Sequence, residues 1–478
     1  MNYAEFIASK TQYGSAHGFN PIWIPDFLKD FQKHLAEWSI RSGRGAIFAG
    51  CGMGKTPLQL VYAENVVRHT NKPALILTPL AVTHQFVKEG DKFGVECFRS
   101  RDGKFPTGSR VIVTNYEKLH LFTPSDFSAV LADEGSILKN FDGVTKSEVT
   151  EFMRTVQYRI VATATPSPND YVELGTAAEA LGAMGYRDMI TMFFKQATSK
   201  DHLGWGRTKY VMRAYAEKDF WKWVCSWSRA VRKPSDLGFD DGEFVLPELL
   251  VKEHKVESRL PQPGRLFDVP AFTLEEQREE RRRTLTERCE KAAELATKHK
   301  GASVCWAHLN DEGDLIAKLI PGAEQVSGAN SDDEKEELLA AFADGQIKKL
   351  VTKSQLAGFG LNWQHCDHQT HFPSHSWEQY HQCVHRSQRF GQKNRVKIDM
   401  ITTDGDFGVL ANLTKKSAAV EEMFARLVEN MNETLKIDRS TPFTVKEQKP
   451  SWLQSKSDRD GETKLAPSSR SRKSKATA

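Results

Sequence analysis

From residue 46 to about 165, short apolar runs alternate with longer stretches of helical periodicity. The segments 45–50 (GAIFAG), 73–79 (PALILTP), 109–116 (SRVIVTNY), 127–134 (FSAVLADE) and 158–166 (YRIVATATP) read as buried strands, each closing on a polar or small residue. The stretches between them are long enough for crossover helices, so the pattern predicts a parallel α/β sheet. Ligands of such sheets sit at the carboxyl ends of the strands, which is where those closing residues stand.

The pattern changes over 181–245, which is rich in aromatics (Phe193, Phe194, Trp205, Phe220, Trp221, Trp223, Trp227) and ends in the basic turn SRAVRKPSD. This segment is predicted to be a mainly helical insert. Alternation resumes near 246 with LPELLVKEHKV, a long charged helix over 274–299, and strands at ASVCWAH, AEQVSG, KKLVTK, HQTHF and VKIDMIT, followed by a helix over 408–436. The last stretch, 437–478, is polar, poor in aliphatics and basic at its end, a composition that predicts disorder. The expected organisation is therefore a first α/β domain over 1–180, the insert over 181–245, a second α/β domain over 246–436 and a disordered basic tail. No internal repeat of solenoid period is visible.

Composition narrows this only a little. A formal charge of +4 and 66 cations against 62 carboxylates leave any basic surface to local clustering. The seven cysteines are scattered with no C-x-x-C pair, which favours free thiols in a reducing compartment. The first residues lack a charged start followed by an apolar core, and no apolar run approaches a membrane span. A soluble, intracellular protein with no membrane partner is the expectation.

The corner Ala49-Gly50-Cys51-Gly52-Met53-Gly54-Lys55-Thr56 carries the clearest chemistry. It has the P-loop spacing, with Ala49 in place of the first glycine. Gly52 and Gly54 let backbone N–H groups approach phosphate oxygens, and the helix that follows presents its positive dipole end. Lys55 would neutralise the β and γ phosphates and Thr56 would place its hydroxyl on Mg²⁺, while Pro57 sits where its missing N–H costs nothing. A glycine-rich turn that merely contains G-K-T is the plainer alternative. A second sign is the apolar strand that ends at Asp133-Glu134. There an acid can hold Mg²⁺ through water and its neighbour can activate the attacking water, although D-E-G-S also suits a helix cap.

These motifs resemble the superfamily-two helicase ATPases of the Swi/Snf-related DEAD/DEAH type, most closely the compact kind carried by bacteriophages and prophages, over roughly residues 20–435. A-x-x-G-x-G-K-T is the helicase form of the P-loop, and DEGSILKN resembles that branch's second motif, with Lys139 and Asn140 beyond the acids. VATATPSPNDYVEL resembles the third, T-A-T-P at Thr163 to Pro166. GFGLNWQ, with Gly360 and Asn362, resembles the fifth, and HRSQRFGQ, His385 to Gln392, the sixth. VIVTNYEKL, with Asn115, resembles the segment that touches the tracked strand, and Gln32 matches the glutamine that reads the adenine edge. The resemblance implies two RecA-like domains that close on ATP and Mg²⁺. Arg386 and Arg389, three apart on a helix, would complete the site from the second domain. Such an arginine is worth roughly 10³–10⁵ in rate, or about 4–7 kcal/mol of barrier.

Two positions depart from the family. Ser136 stands where the second motif usually has histidine, and Gln388 where the sixth often does. The stretch 364–385 holds six histidines and two cysteines. Zinc ligation by Cys366, His368, His371 and His375 competes there with a strand and loop leading to the sixth motif. The aromatics of FWKWVCSWSRAV suit a base-stacking platform or a buried helix face, the latter preferred. Arg232 and Lys233 of the turn RAVRKP are candidate phosphate contacts, and the basic tail either adds salt-sensitive affinity or only solubilises.

The sequence is thus read as an ATP hydrolase that moves on DNA, preferentially duplex, in a bacterial or phage-infected cytoplasm, with phage or host DNA-processing proteins as possible partners. Lys55, Thr56, Asp133, Glu134, Arg386 and Arg389 would carry the chemistry. Thr163, Thr165, Asn115 and Gln392 would couple it to nucleic acid. A strand-separating helicase and a nucleotide-dependent DNA-binding scaffold with incidental turnover are the alternatives.

Overall fold

A computed structural model describes residues 17–139, 144–167, 170–200, 206–259, 274–357, 361–374, 376–403 and 406–435. The expected tail over 437–478 lies outside the described residues, as do Gly360, Asn140, Trp205 and His375.

The first half forms strands β1 (Arg44–Ala49), β2 (Ala74–Thr78), β3 (Cys97–Arg99), β4 (Val111–Asn115), β5 (Ala129–Asp133) and β6 (Tyr158–Thr163), then β7 (Phe194–Lys200), β8 (Gly206–Met212) and β9 (Ser228–Val231). Seven of these make one parallel sheet in the order β3-β4-β2-β5-β6-β1-β9, while β7 and β8 pair only with each other, antiparallel. The centres of β1, β2, β4, β5 and β6 are fully buried, as continuous apolar runs covered by helices on both faces should be. Strand order brings the carboxyl ends of β1, β6 and β5 side by side, with Phe48 opposite Thr163 and Ala162 opposite Asp133.

The second sheet contains β10 (Leu249–Lys255), β11 (Ala302–Ala307), β12 (Ala323–Val326), β13 (Lys349–Lys353), β14 (Cys366–His371) and β15 (Val396–Thr402), all parallel, in the order β10-β15-β14-β11-β13-β12. The chain therefore folds as two parallel-sheet α/β domains in tandem. The charged helix expected over 274–299 is present as Leu274–Arg283 and Leu285–Lys298, parted at Thr284.

The segment 181–245 holds the expected helices, Tyr186–Phe193 and Glu217–Trp227, and two features that periodicity did not show. One is the β7–β8 hairpin. The other is β9, which pairs with β1 and so makes this segment part of the first sheet. Four residues that include an arginine and run into two more cations give no strand signal of their own; the ladder to β1 supplies it. Trp221, Trp223 and Trp227 are buried, as an ordinary helix face would be. The long helix Phe407–Leu435 follows β15, yet its apolar stripe (Leu413, Val420, Met423, Phe424, Leu427, Met431) joins the core of the first domain. Among the described residues no helix is long and apolar enough to cross a membrane.

Candidate functional site

A cavity of about 390 Å³ opens between the two domains at the carboxyl end of the first sheet. Gly52, Gly54, Lys55, Thr56, Asp133 and Glu134 line it from the first domain; Asn362, Arg386 and Arg389 line it from the second.

The corner after β1 turns through Gly52 (φ +86°) and Gly54 (φ +84°), a region that disfavours other residues. Space adds a second constraint. A Cβ on Gly54 would lie 2.2 Å from the Gln32 amide nitrogen, and one on Gly52 would lie 3.0 Å from the backbone nitrogen of Phe390 in the second domain. The helix Lys55–Thr70 starts directly after this corner. The Lys55 Nζ donates to the Ala49 carbonyl at 3.0 Å, and the Gln32 Nε2 donates to the Met53 carbonyl at 3.1 Å. The Gly50 N–H donates to the Val231 carbonyl at 2.8 Å. Ala49, Gly50 and Met53 thus shape the corner through their backbones and do not line the cavity.

Asp133 ends β5 and is buried. It accepts from Gln59 Nε2 at 2.7 Å and Thr78 Oγ1 at 3.1 Å, and its carbonyl accepts from the Tyr116 hydroxyl at 2.5 Å. Burial, with adjacent Glu134 adding to it, pushes its carboxyl up to about 6. Two neighbouring carboxylates that line one cavity with Thr56, one of them buried, suit a bound Mg²⁺. Glu134 adopts φ +54°, a conformation that costs a non-glycine residue about 1–3 kcal/mol. Thr163 Oγ1 (3.0 Å) and Ser136 Oγ (3.2 Å) both donate to its Oε1, fixing the carboxylate. Thr165 extends the chain of bonds. Its N–H donates to Thr163 Oγ1 at 3.0 Å and its hydroxyl donates to Glu378 Oε1 of the second domain at 3.2 Å.

Arg386 lies on the helix Trp377–Ser387 and Arg389 just beyond it. Each donates to the Leu361 carbonyl at 3.0 Å. The buried Arg389 Nε has no partner, and neither has the buried Asn362 Oδ1. Burial, with Arg386 close by, lowers the Arg389 guanidinium to about 10. Both arginines would gain from an anion in the cavity. His385 is pushed down to about 4 by burial, so the helix adds no third cation there.

Other expected contacts lie elsewhere. Asn115 is half-buried at the end of β4, and its side-chain amide donates to Glu117 at 2.6 Å. The Arg232 guanidinium is held by Asp236 and by Glu421 at 3.1 Å, and Lys233 faces Asp241 at 3.8 Å, so this turn braces β9. Gln392 is turned inward, donating to the Cys366 and Ser387 carbonyls at 3.1 and 3.4 Å. It closes the sixth motif on itself. In the histidine-rich stretch, His368 bonds Ser303 and Asp399, and His371 bonds Gln369. Both rings have partners within the sheet.

The cavity also contains residues that motif reading passed over. Gln85, Glu89, Lys92 and Phe93 come from the helix Thr83–Phe93, and Phe244 stacks on Phe390 at 4.7 Å between ring centroids. The first group carried a signal: a helix face at i, i+4 and i+7 that follows β2 at its carboxyl end. Phe244 carried none.

No protein-family model matches the chain, and no curated protein does. Solved structures do. Saccharomyces cerevisiae Dbp5 bound to RNA and ADP-BeF3 aligns with 82% of this chain and 93% of its own at 13% identity, TM-score 0.51. A Dbp5 variant with the same ligands aligns with 83% and 93% at 12% identity, TM-score 0.52. The SWI2/SNF2 ATPase core of Sulfolobus solfataricus in complex with dsDNA spans 86% and 98% at 15% identity, but its TM-score of 0.39 is too low to build on. At such identities the Dbp5 likeness establishes the fold alone: two RecA-like domains in tandem.

Proposed function

We propose that the chain is a nucleic-acid-stimulated ATP hydrolase that moves on duplex DNA. One observation carries this reading. Arg386 and Arg389 of the second domain line the same cavity as Lys55, Thr56, Asp133 and Glu134 of the first. A site divided in this way is complete only when the domains meet, so ATP binding and turnover translate into opening and closing.

In the proposed chemistry the corner N–H groups and Lys55 hold the β and γ phosphates. Thr56 and Asp133 would hold Mg²⁺, which neutralises phosphate charge when bound. Glu134, aimed by Thr163 and Ser136, accepts a proton from the attacking water. The water oxygen bonds to the γ-phosphorus as the bond to the β–γ bridging oxygen breaks, releasing ADP and phosphate. Arg386 and Arg389 leave the Leu361 carbonyl to stabilise charge on the transferring group. Gln32 reads the adenine edge.

The deciding experiment is steady-state ATP hydrolysis with and without duplex, single-stranded and forked DNA and RNA, alongside Lys55→Ala. Stimulation by duplex, lost in the variant, is the expected result, with triplex displacement showing movement. Release of a reporter strand from the fork would make strand separation the better description. Hydrolysis indifferent to every nucleic acid would end the motor reading.

A further inference from the structure

We infer that Gln59 is a positioning residue for the cation of the nucleotide site, acting through Asp133 by fixing the carboxylate against which the metal is held. The inference rests on the reading of Asp133 as a Mg²⁺ ligand, and its test separates the two.

Gln59 lies on the helix Lys55–Thr70, four residues beyond Lys55 and three beyond Thr56. Residues three and four apart share a helix face. Lys55 and Thr56 line the cavity, whereas Gln59 sits one turn further along at 0% exposure. From there its Nε2 donates to Asp133 Oδ1 at 2.7 Å, while Thr78 Oγ1 at the end of β2 donates to Oδ2 at 3.1 Å. The Asp133 backbone is already held, by the ladder to β6 and by the Tyr116 hydroxyl on its carbonyl. What remains free is rotation of the carboxylate about its side-chain torsions. Gln59 and Thr78, one on each oxygen, remove that freedom.

The unused half of the Gln59 amide argues that this bond is why the residue is there. Its Oε1 is buried and has no partner. Two other buried residues of the same helix carry amide or carboxylate groups, Glu64 and Asn65. The Asn65 Oδ1 accepts from the Ile22 and Trp23 N–H groups, and its Nδ2 donates to the Trp23 and Val61 carbonyls. Glu64 holds Arg68 and Arg110. Both are braces, and every polar atom of each is used. An apolar side chain of the same length would fill the Gln59 position without burying an orphaned acceptor, which costs stability. Packing therefore does not account for the amide; its donor does, and the bond it makes is to Asp133.

A neutral donor also suits the task. A lysine or arginine at this position would pair with Asp133 and compete with the metal for its charge. An amide and a hydroxyl orient the carboxylate and leave its charge to the cation. Partners of this kind around a ligating group carry a factor of roughly 10–100 in metal affinity.

The test is binding, not turnover. Affinity of the full chain for Mn²⁺ in the presence of ADP is read by electron paramagnetic resonance. Affinity for ADP is read by calorimetry, once in excess Mg²⁺ and once in EDTA. Gln59→Met keeps the length of the side chain and removes the donor. Thr78→Val keeps its shape and removes the donor to the other oxygen, so it carries the test if the helix substitution disturbs folding. Each variant should bind Mn²⁺ roughly 10–100-fold more weakly and keep the wild-type affinity for ADP in EDTA. A purely structural role predicts instead that ADP affinity falls equally in both media. Such equal losses, or unchanged Mn²⁺ affinity in both variants, would overturn the inference while the wild-type chain still bound ADP better with metal than without. A wild-type chain indifferent to metal would remove the metal site itself, and the inference with it.

Discussion

At the scale of single residues, the site is governed by a carboxylate that burial holds partly protonated near pH 6. Asp133 has its folded pKa raised to about 6, above the ordinary aspartate value. For an acid shifted upward, the folded state binds the extra proton between the two values. The nucleotide-free protein should therefore gain stability as pH falls toward 6 and below, and lose that increment as pH rises through about 6. Binding of Mg²⁺ needs the ionised form, so hydrolysis should fall as pH drops through the same range, and Mg-ADP should reverse the stability trend. Thermal unfolding against pH, with and without Mg-ADP, checks the sign. A second residue-scale expectation concerns Glu378, which reaches across the domain boundary to Thr165. Glu378→Ala should lower kcat roughly tenfold, about 1.4 kcal/mol, with KM for ATP little changed. Glu378→Gln keeps an acceptor for the Thr165 hydroxyl and should recover most of that loss.

Among the elements, the helix Phe407–Leu435 ties the end of the described chain back to the first domain. Leu427 is 1% exposed, and its carbonyl lies 3.7 Å from the Cys225 sulfur of the helix Glu217–Trp227. Leu427→Ala should cost about 2–5 kcal/mol in chemical denaturation, because the surrounding aromatics cannot collapse into the space. The second domain relies on a different kind of element contact. Arg288 of the helix Leu285–Lys298 and Glu312 of the helix Asn310–Leu319 form a fully buried ion pair at 2.8 Å. Glu312 also accepts from the N–H groups of His308 and Leu309, at 2.9 and 3.0 Å. Arg288→Ala strands that carboxylate and should destabilise by about 3–5 kcal/mol, more than its lost contacts alone would give.

For the molecule as a whole, the two domains are also held by ion pairs outside the cavity. Arg99 at the end of β3 holds Glu336 in a two-pronged pair, one arm at 2.8 Å, and Arg101 meets Asp333 at 2.9 Å. Asp333 and Glu336 belong to the acidic helix Asp332–Ala343 of the second domain. Arg99 and Glu336 retain only 15% and 19% of their side-chain exposure, so salt screens them less than a surface pair. Glu336→Arg should expand the molecule in small-angle scattering and raise KM for ATP. Adding Arg99→Glu should reverse both changes, which loss of folding would not.

The sequence by itself determined what repeats locally. Continuous apolar runs marked the central strands of the first sheet, because burial on both faces favours apolar residues at every position, whereas β14 of the second sheet buries His368, Gln369, Thr370 and His371 through side-chain partners that periodicity does not show. The glycine corner after β1 was legible because φ above zero and close backbone approach require glycine, whatever surrounds it. Asp133 and Glu134 were legible because a charged pair closing an apolar strand has few structural uses. Only the tertiary structure decided the rest. β9 becomes a strand through its ladder to β1, and Arg232 serves as a brace across the chain because Glu421 reaches it. Phe244 enters the site through contacts with Phe390, far along the chain. The helix Phe407–Leu435 crosses to the first domain because its apolar stripe finds the core beside the helix Glu217–Trp227. Each is a long-range pairing, and such pairings leave no period in the chain that makes them.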